Sequence, residues 1–128
     1  MLSDVHAFSG YSVNDKAVAL EFYKDVLGCN IEDNGMGLEL KFPNGHSVFM
    51  YEKSDHQPAT FTVLNFPVDD LNGTIDALVE KGITMERYDT MPAEQDERGV
   101  LRGKATDIGP DIAWFKDPAG NVLAILEN

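Results

Sequence analysis

The sequence predicts an α+β fold built from two βαβββ modules, and three observations predict it. The first is an internal echo. Residues 38–50 and 112–126 each read as an apolar run, a turn and a second apolar run, with Pro43-Asn44-Gly45 answered by Pro118-Ala119-Gly120. Proline sets φ and glycine accepts a positive φ, so both triplets are hairpin turns. The second is a repeated opening in which a strand runs through a capping residue into an amphipathic helix. These strands end at Val13 and Val68, about 55 residues apart. The third is a mismatch in spacing. The echoing turns lie about 75 residues apart, and the surplus falls in one long polar segment, 89–110. We therefore read 1–128 as one domain, with module one at 1–55 and module two at 59–128.

The elements follow in order. Residues 5–13 alternate loosely and form a strand. Asn14 or Asp15 caps a helix whose face carries Val18, Phe22 and Val26, with Ala19, Tyr23 and Leu27 beside it. Gly28 ends it. A short strand at 29–32 precedes the turn at Asn34-Gly35, and 36–42 and 47–52 form the first Pro-x-Gly hairpin. The second module restarts with a strand at 60–68. Asp69 or Asp70 caps a helix carrying Leu71, Ile75, Leu78 and Val79, closed by Gly82. A short strand at 83–88 is expected, then a strand around 99–102 inside the long segment, then the closing hairpin. Two such modules make two sheets, or one strongly curved sheet, with the helices outside and a concave side free for a ligand.

The bulk composition excludes several functions. Net charge is −12, so nucleic acid is not an expected partner, because phosphate contacts need clustered Lys and Arg. No apolar run approaches the length of a membrane span. Cys29 is the only cysteine, and 1–6 lack the basic and apolar regions of a signal peptide, so the expected location is cytoplasmic. Cys29 follows a helix C-terminus, an environment that disfavours a thiolate, and is not read as a nucleophile.

Four stretches carry a family resemblance: Tyr11-Ser-Val-Asn-Asp15, Glu21-Phe-Tyr-Lys-Asp-Val-Leu-Gly28, Phe66-Pro-Val-Asp-Asp70 and Phe115-Lys-Asp-Pro-Ala-Gly-Asn121. Through them the chain resembles the vicinal oxygen chelate superfamily, which includes glyoxalase I, extradiol dioxygenases and bleomycin resistance proteins. The resemblance implies mixed, curved sheets around a U-shaped cleft, and commonly a homodimer. It also implies, in metal-using members, four ligands from the first and last strands of each module. The corresponding positions here are Phe8, Val63, Ala124 and either Phe49 or Met50. None offers a donor to a hard or borderline cation. We read the cleft as metal-free, with no cofactor. A displaced site built from His6, Glu52 and His56 is the alternative.

Strand alternation places Phe61, Val63, Asn65 and Pro67 toward the cleft, with His6, Phe8, Gly10 and Ser12 from the first strand and Val122, Ala124 and Leu126 from the last. The expected ligand-binding residues are Phe8, His56, Phe61, Val63, Asn65, Tyr88, Arg102, Trp114 and Ala124. Tyr88 and Arg102, with the acidic stretch 94–97, lie where the long segment closes over a ligand. Aromatic side chains with few polar groups suit a flat organic molecule. The expected function is binding of a hydrophobic or cationic small molecule such as an antibiotic. The rival is a metal-dependent lyase, isomerase or dioxygenase.

Overall fold

Both helices begin on an aspartate, and in each case it is the second of the two candidate caps. Asp15 Oδ1 accepts the Val18 N–H at 3.1 Å, and Asp70 Oδ1 accepts that of Gly73 at 3.0 Å. Each bond satisfies a first-turn donor that the helix itself leaves open. The structure, a computed structural model, describes residues 1–90 and 94–128; residues 91–93 of the long polar segment lie outside the described residues, with that part of the reading of 89–110. The chain divides into two compact units, Met1–Pro58 and Ala59–Asn128.

Unit 1 contains β1 (Ser9–Val13), α1 (Lys16–Glu21) running on through a π-helical turn at Phe22–Val26, β2 (Asn30–Asp33), β3 (Leu38–Lys41) and β4 (Ser47–Glu52). Unit 2 contains β5 (Thr62–Pro67), α2 (Leu71–Glu80), β6 (Leu101–Arg102), β7 (Asp111–Lys116) and β8 (Val122–Glu127). Each unit is therefore βαβββ, as expected, and there are two sheets, not one. Each is open and four-stranded, in the orders β1-β4-β3-β2 and β5-β8-β7-β6. In both, the first strand lies parallel to the last and the remaining pairs are antiparallel. Among the described residues no helix is long and apolar enough to cross a membrane.

The two echoing turns match bond for bond. Phe42 N–H donates to His46 O at 2.9 Å and Gly45 N–H to Phe42 O at 3.1 Å; Asp117 N–H donates to Asn121 O and Gly120 N–H to Asp117 O, both at 3.0 Å. Gly45 and Gly120 sit at φ 82° and 85°, where a β-carbon would be strained.

Side-chain alternation gives each sheet a helix-facing core. In unit 1 it comprises Val13, Leu38, Leu40, Val48 and Met50 under Ala19 and Tyr23; in unit 2 it comprises Ala113, Phe115, Leu123 and Ile125 under Leu71, Ile75 and Leu78. Burying one such large side chain contributes about 1.5–3 kcal/mol.

Three details differ from the sequence reading. On α1 the buried stripe is Ala19–Tyr23, while Val18 is exposed. The Leu27 N–H reaches back five residues to Phe22 O, so the π-helical turn rotates the following side chains off a 3.6-residue period. Val79, expected on the buried face of α2, is also exposed. The strand expected at 83–88 is extended chain without a ladder: Glu86 N–H donates to Trp114 O at 2.8 Å, and side chains take over from there.

Candidate functional site

Trp114 stands at the middle of β7, and the register fixes its neighbours. It pairs with Ala124 on β8, which pairs in turn with Asn65 on β5. Leu126 lies between Ile112 and Pro67, and Val122 between Lys116 and Thr62. These residues share the face turned away from α2, because their strand neighbours Ala113, Phe115, Leu123 and Ile125 form the helix-facing core. Leu101, Trp114, Val122 and Ala124 make a second, smaller apolar cluster there, with Tyr88 and Ile112 packed against it. Ala124 stands directly across from the indole. Cross-strand β-carbons lie about 5 Å apart, so a bulkier residue would compete for the indole's space.

A bulge sets what else lies on this face. Thr62 pairs with Val122 and Leu64 with Leu123, leaving Val63 as the extra, unpaired residue of β5. Simple alternation assigned Phe61, Val63, Asn65 and Pro67 to one face. The bulge breaks that series, and Thr62 joins Asn65 and Pro67 instead. The Trp114 Nε1–H donates to Thr62 Oγ1 at 3.1 Å.

Tyr88 lies edge-on to Trp114, with ring centroids 5.9 Å apart and planes at 84°. The Gln95 side chain positions it. Gln95 Oε1 accepts the Tyr88 N–H at 2.7 Å, and Nε2 donates to Glu86 O at 3.1 Å and Gly99 O at 2.6 Å. The Tyr88 hydroxyl is buried and has no hydrogen-bond partner among the described residues. Burial, aided by the nearby Glu86 carboxylate, pushes its pKa up, so at neutral pH it is a phenol and a donor.

Arg102 is engaged elsewhere. Its guanidinium bonds Asp96 Oδ2 and Asn72 Oδ1, each at 2.9 Å, and reaches Asp111 Oδ2 at 3.4 Å. Arg102 pairs with Asp111 on the side opposite Trp114, so it braces the long segment and is not joined to the aromatic cluster. Burial works against the charge on Asp96, but the N–H groups of Val100 and Arg98 and the Arg102 guanidinium together hold its carboxyl below the usual range.

Of the expected ligand-binding residues, the structure thus gathers Tyr88, Trp114, Ala124 and Asn65 on one face. Val63 is the bulge, and Phe61 stands just before β5, exposed. Phe8 and His56 belong to unit 1. Phe8 is exposed and lines a groove of about 340 Å³ with His6, Asn44 and His46. The His56 Nδ1 and Ser12 Oγ are hydrogen-bonded at 2.7 Å. Sequence reasoning missed Thr62, hidden by the bulge, and Gln95, whose uncharged amide inside the acidic run 94–97 was the available signal.

The positions singled out for metal donors do not fit a metal. Phe49, not Met50, is on the β4 face turned away from α1, since Met50 is wholly buried in the helix-facing core. Phe8, Phe49, Val63 and Ala124 bring no donor atom. The displaced set does not converge either. Glu52 Oε2 accepts the Lys16 N–H at the start of α1, on the helix side of the sheet, whereas Ser12, which holds His56, points to the other side. Among the described residues no three His, Cys, Asp or Glu side chains come together. Burial pushes the Cys29 thiol up, in keeping with an unreactive cysteine.

The model of the family described as glyoxalase/bleomycin resistance protein/dioxygenase superfamily matches residues 5–125. Among curated protein sequences, none matches the chain. Among solved structures the chain is similar to a glyoxalase/dioxygenase from Nostoc punctiforme, at 16% identity and TM-score 0.70, over 99% of this chain and 92% of that one. It is also similar to TnmS3, an antibiotic binding protein from Streptomyces sp. CB03234, at 19% identity and TM-score 0.63, over 97% of both chains. The oxidase ChaP-H2 aligns at 20% identity and TM-score 0.63, over 98% of this chain and 94% of the other. Identities this low speak for the shared fold and leave the chemistry to the residues.

Proposed function

Since the chain belongs to the glyoxalase/bleomycin resistance protein/dioxygenase superfamily, we propose that it is a metal-independent binding protein for a flat, largely apolar organic molecule, of the kind that sequesters an antibiotic. The observation that carries this reading is the apolar face of unit 2, where Leu101, Trp114, Val122 and Ala124 lie with Tyr88 edge-on to the indole. Such a face offers stacking and burial to an aromatic ring, with aromatic contacts worth about 0.5–1.5 kcal/mol each beyond burial. The net charge of −12 favours a ligand with a cationic group. The likeness in fold to an antibiotic binding protein supports the class.

Titration calorimetry against metal-free bleomycin, a hydrophobic dye and a panel of cationic aromatic drugs, in chelator, tests the proposal. The expected result is saturable binding of at least one compound, weakened by Trp114→Leu. No saturable heat with any of them would overturn it. The rival reading, a metal-dependent lyase, isomerase or dioxygenase, predicts a stoichiometric metal lost on His6→Ala. Against it stands the donor set, in which Glu52 and His56 are engaged on opposite sides of their sheet. We also propose a cytoplasmic homodimer; light scattering would then give about twice the chain's 14.1 kDa.

A further inference from the structure

Among the described residues the Tyr88 hydroxyl has no partner, although the groups around it are paired. Its own backbone N–H is taken by Gln95, the Trp114 Nε1–H by Thr62, and the Glu86 N–H by Trp114 O. A buried hydroxyl left alone is unfavourable, and native structures seldom keep one without a use for it. The ring sits against the apolar cluster, so the unpaired oxygen belongs to the face proposed for ligand binding. As a neutral phenol it has a proton to donate to an acceptor on a ligand, and burial favours that neutral form. The segment that carries it makes a backbone bond to β7 and is otherwise held by side chains: Gln95 on the Tyr88 N–H, Lys116 on Glu86, and the Arg87 guanidinium on the carbonyls of Gln95 and Glu97.

We infer that Tyr88 is the specificity donor of this face, and that the ligand class is a planar aromatic molecule with a carbonyl or phenolate oxygen at its edge. The ring system lies at the Trp114 indole while the oxygen accepts the Tyr88 proton. Thr62 can pass on a weaker preference, because its oxygen already accepts from the indole and its own proton remains to be donated. The inference rests on the proposed binding function, and the test separates the two.

Two probes of the same shape serve, 9-fluorenone and fluorene, each carrying the same short trimethylammonium tail for solubility. They differ only in the ring carbonyl. The wild-type protein is expected to bind the ketone about tenfold more tightly. In Tyr88→Phe the preference should fall to near unity while fluorene binding stays the same. The bound ketone's infrared carbonyl stretch should be shifted down in the wild type and not in the variant. Equal binding of both probes by the wild type overturns the inference and leaves the apolar-face reading standing. A ketone preference that survives Tyr88→Phe also overturns it and points to Thr62 or Asn65. Binding of neither probe overturns the inference, and the panel of compounds named above then decides whether the binding function stands. An unchanged melting temperature shows that the variant is folded.

Discussion

The two units share a strand order, a parallel first-to-last strand pair and the same turn hydrogen bonds, yet their outward sheet faces differ. In unit 1 the face turned from the helix carries Ser12, Glu32, Glu39, Lys41, Ser47 and Tyr51, with Phe49 and Tyr51 stacked 6.0 Å apart. In unit 2 the same face carries Trp114, Val122 and Ala124, buried under Tyr88. A single backbone plan therefore supports a hydrated face and a dry one. The two faces differ at alternate positions, and the cover over that of unit 2 belongs to the longer stretch between α2 and β7. Shared topology fixes where a site can be built, and the outward side chains decide whether one is.

Breaking the comparison at its strongest point means removing the large aromatic from each outward face. Trp114→Ala is expected to cost about 3–5 kcal/mol in a denaturant titration, against about 1–2 kcal/mol for the half-buried Phe49→Ala.

The matched turns come next. Asp117 is buried and its carboxylate accepts the N–H groups of Ala119 and Asn121 and the Asn121 side-chain amide. The corresponding turn in unit 1 has an exposed Asn44 accepting the His46 N–H. Asp117→Ala should cost about 3 kcal/mol and Asn44→Ala under about 1 kcal/mol, although both remove a turn cap.

Smaller still is the contrast between tyrosines. The Tyr11 and Tyr23 hydroxyls bond each other at 2.8 Å in unit 1. Tyr11→Phe should lose about 1 kcal/mol, while Tyr88→Phe should be neutral or slightly stabilising, since no bond is lost.

The last prediction is of pH. Asp96 has a lowered pKa, so its contribution is present above the ordinary aspartate range and disappears as pH falls through its folded value. Protection of the Val100 and Arg98 amides, taken relative to their intrinsic exchange rates at each pH, should fall on acidification, with no matching change in the turn of unit 1.

How much of this the sequence carried follows from the range of each signal. The turns, the caps and the succession of elements were legible because Pro43-Asn44-Gly45, Pro118-Ala119-Gly120, Asp15 and Asp70 act on their immediate neighbours. Asn65 and Ala124 were legible as residues of one face because two-residue alternation carries through that part of their strands, whereas Tyr88 was assigned on its place beside the long segment. Thr62 was not legible, since a bulge is a mismatch in pairing between two strands and leaves no mark within either. Arg102 was assigned to the ligand on its position in a polar segment, and only the three-dimensional placement of Asp96, Asn72 and Asp111 shows that it is engaged. Gln95 acts through both ends of one amide on three backbone groups, a role no local pattern announces.

Trp114 is also the chain's only tryptophan, and its position gives that fact an optical consequence. All indole emission comes from unit 2, from a dry site where the spectrum is expected toward the blue. Unit 1 is silent in that channel and reports only through its tyrosines and its backbone dichroism. Indole emission thus follows unit 2 alone, and comparing its unfolding curve with that of the backbone dichroism, to which both units contribute, measures how strongly they are coupled.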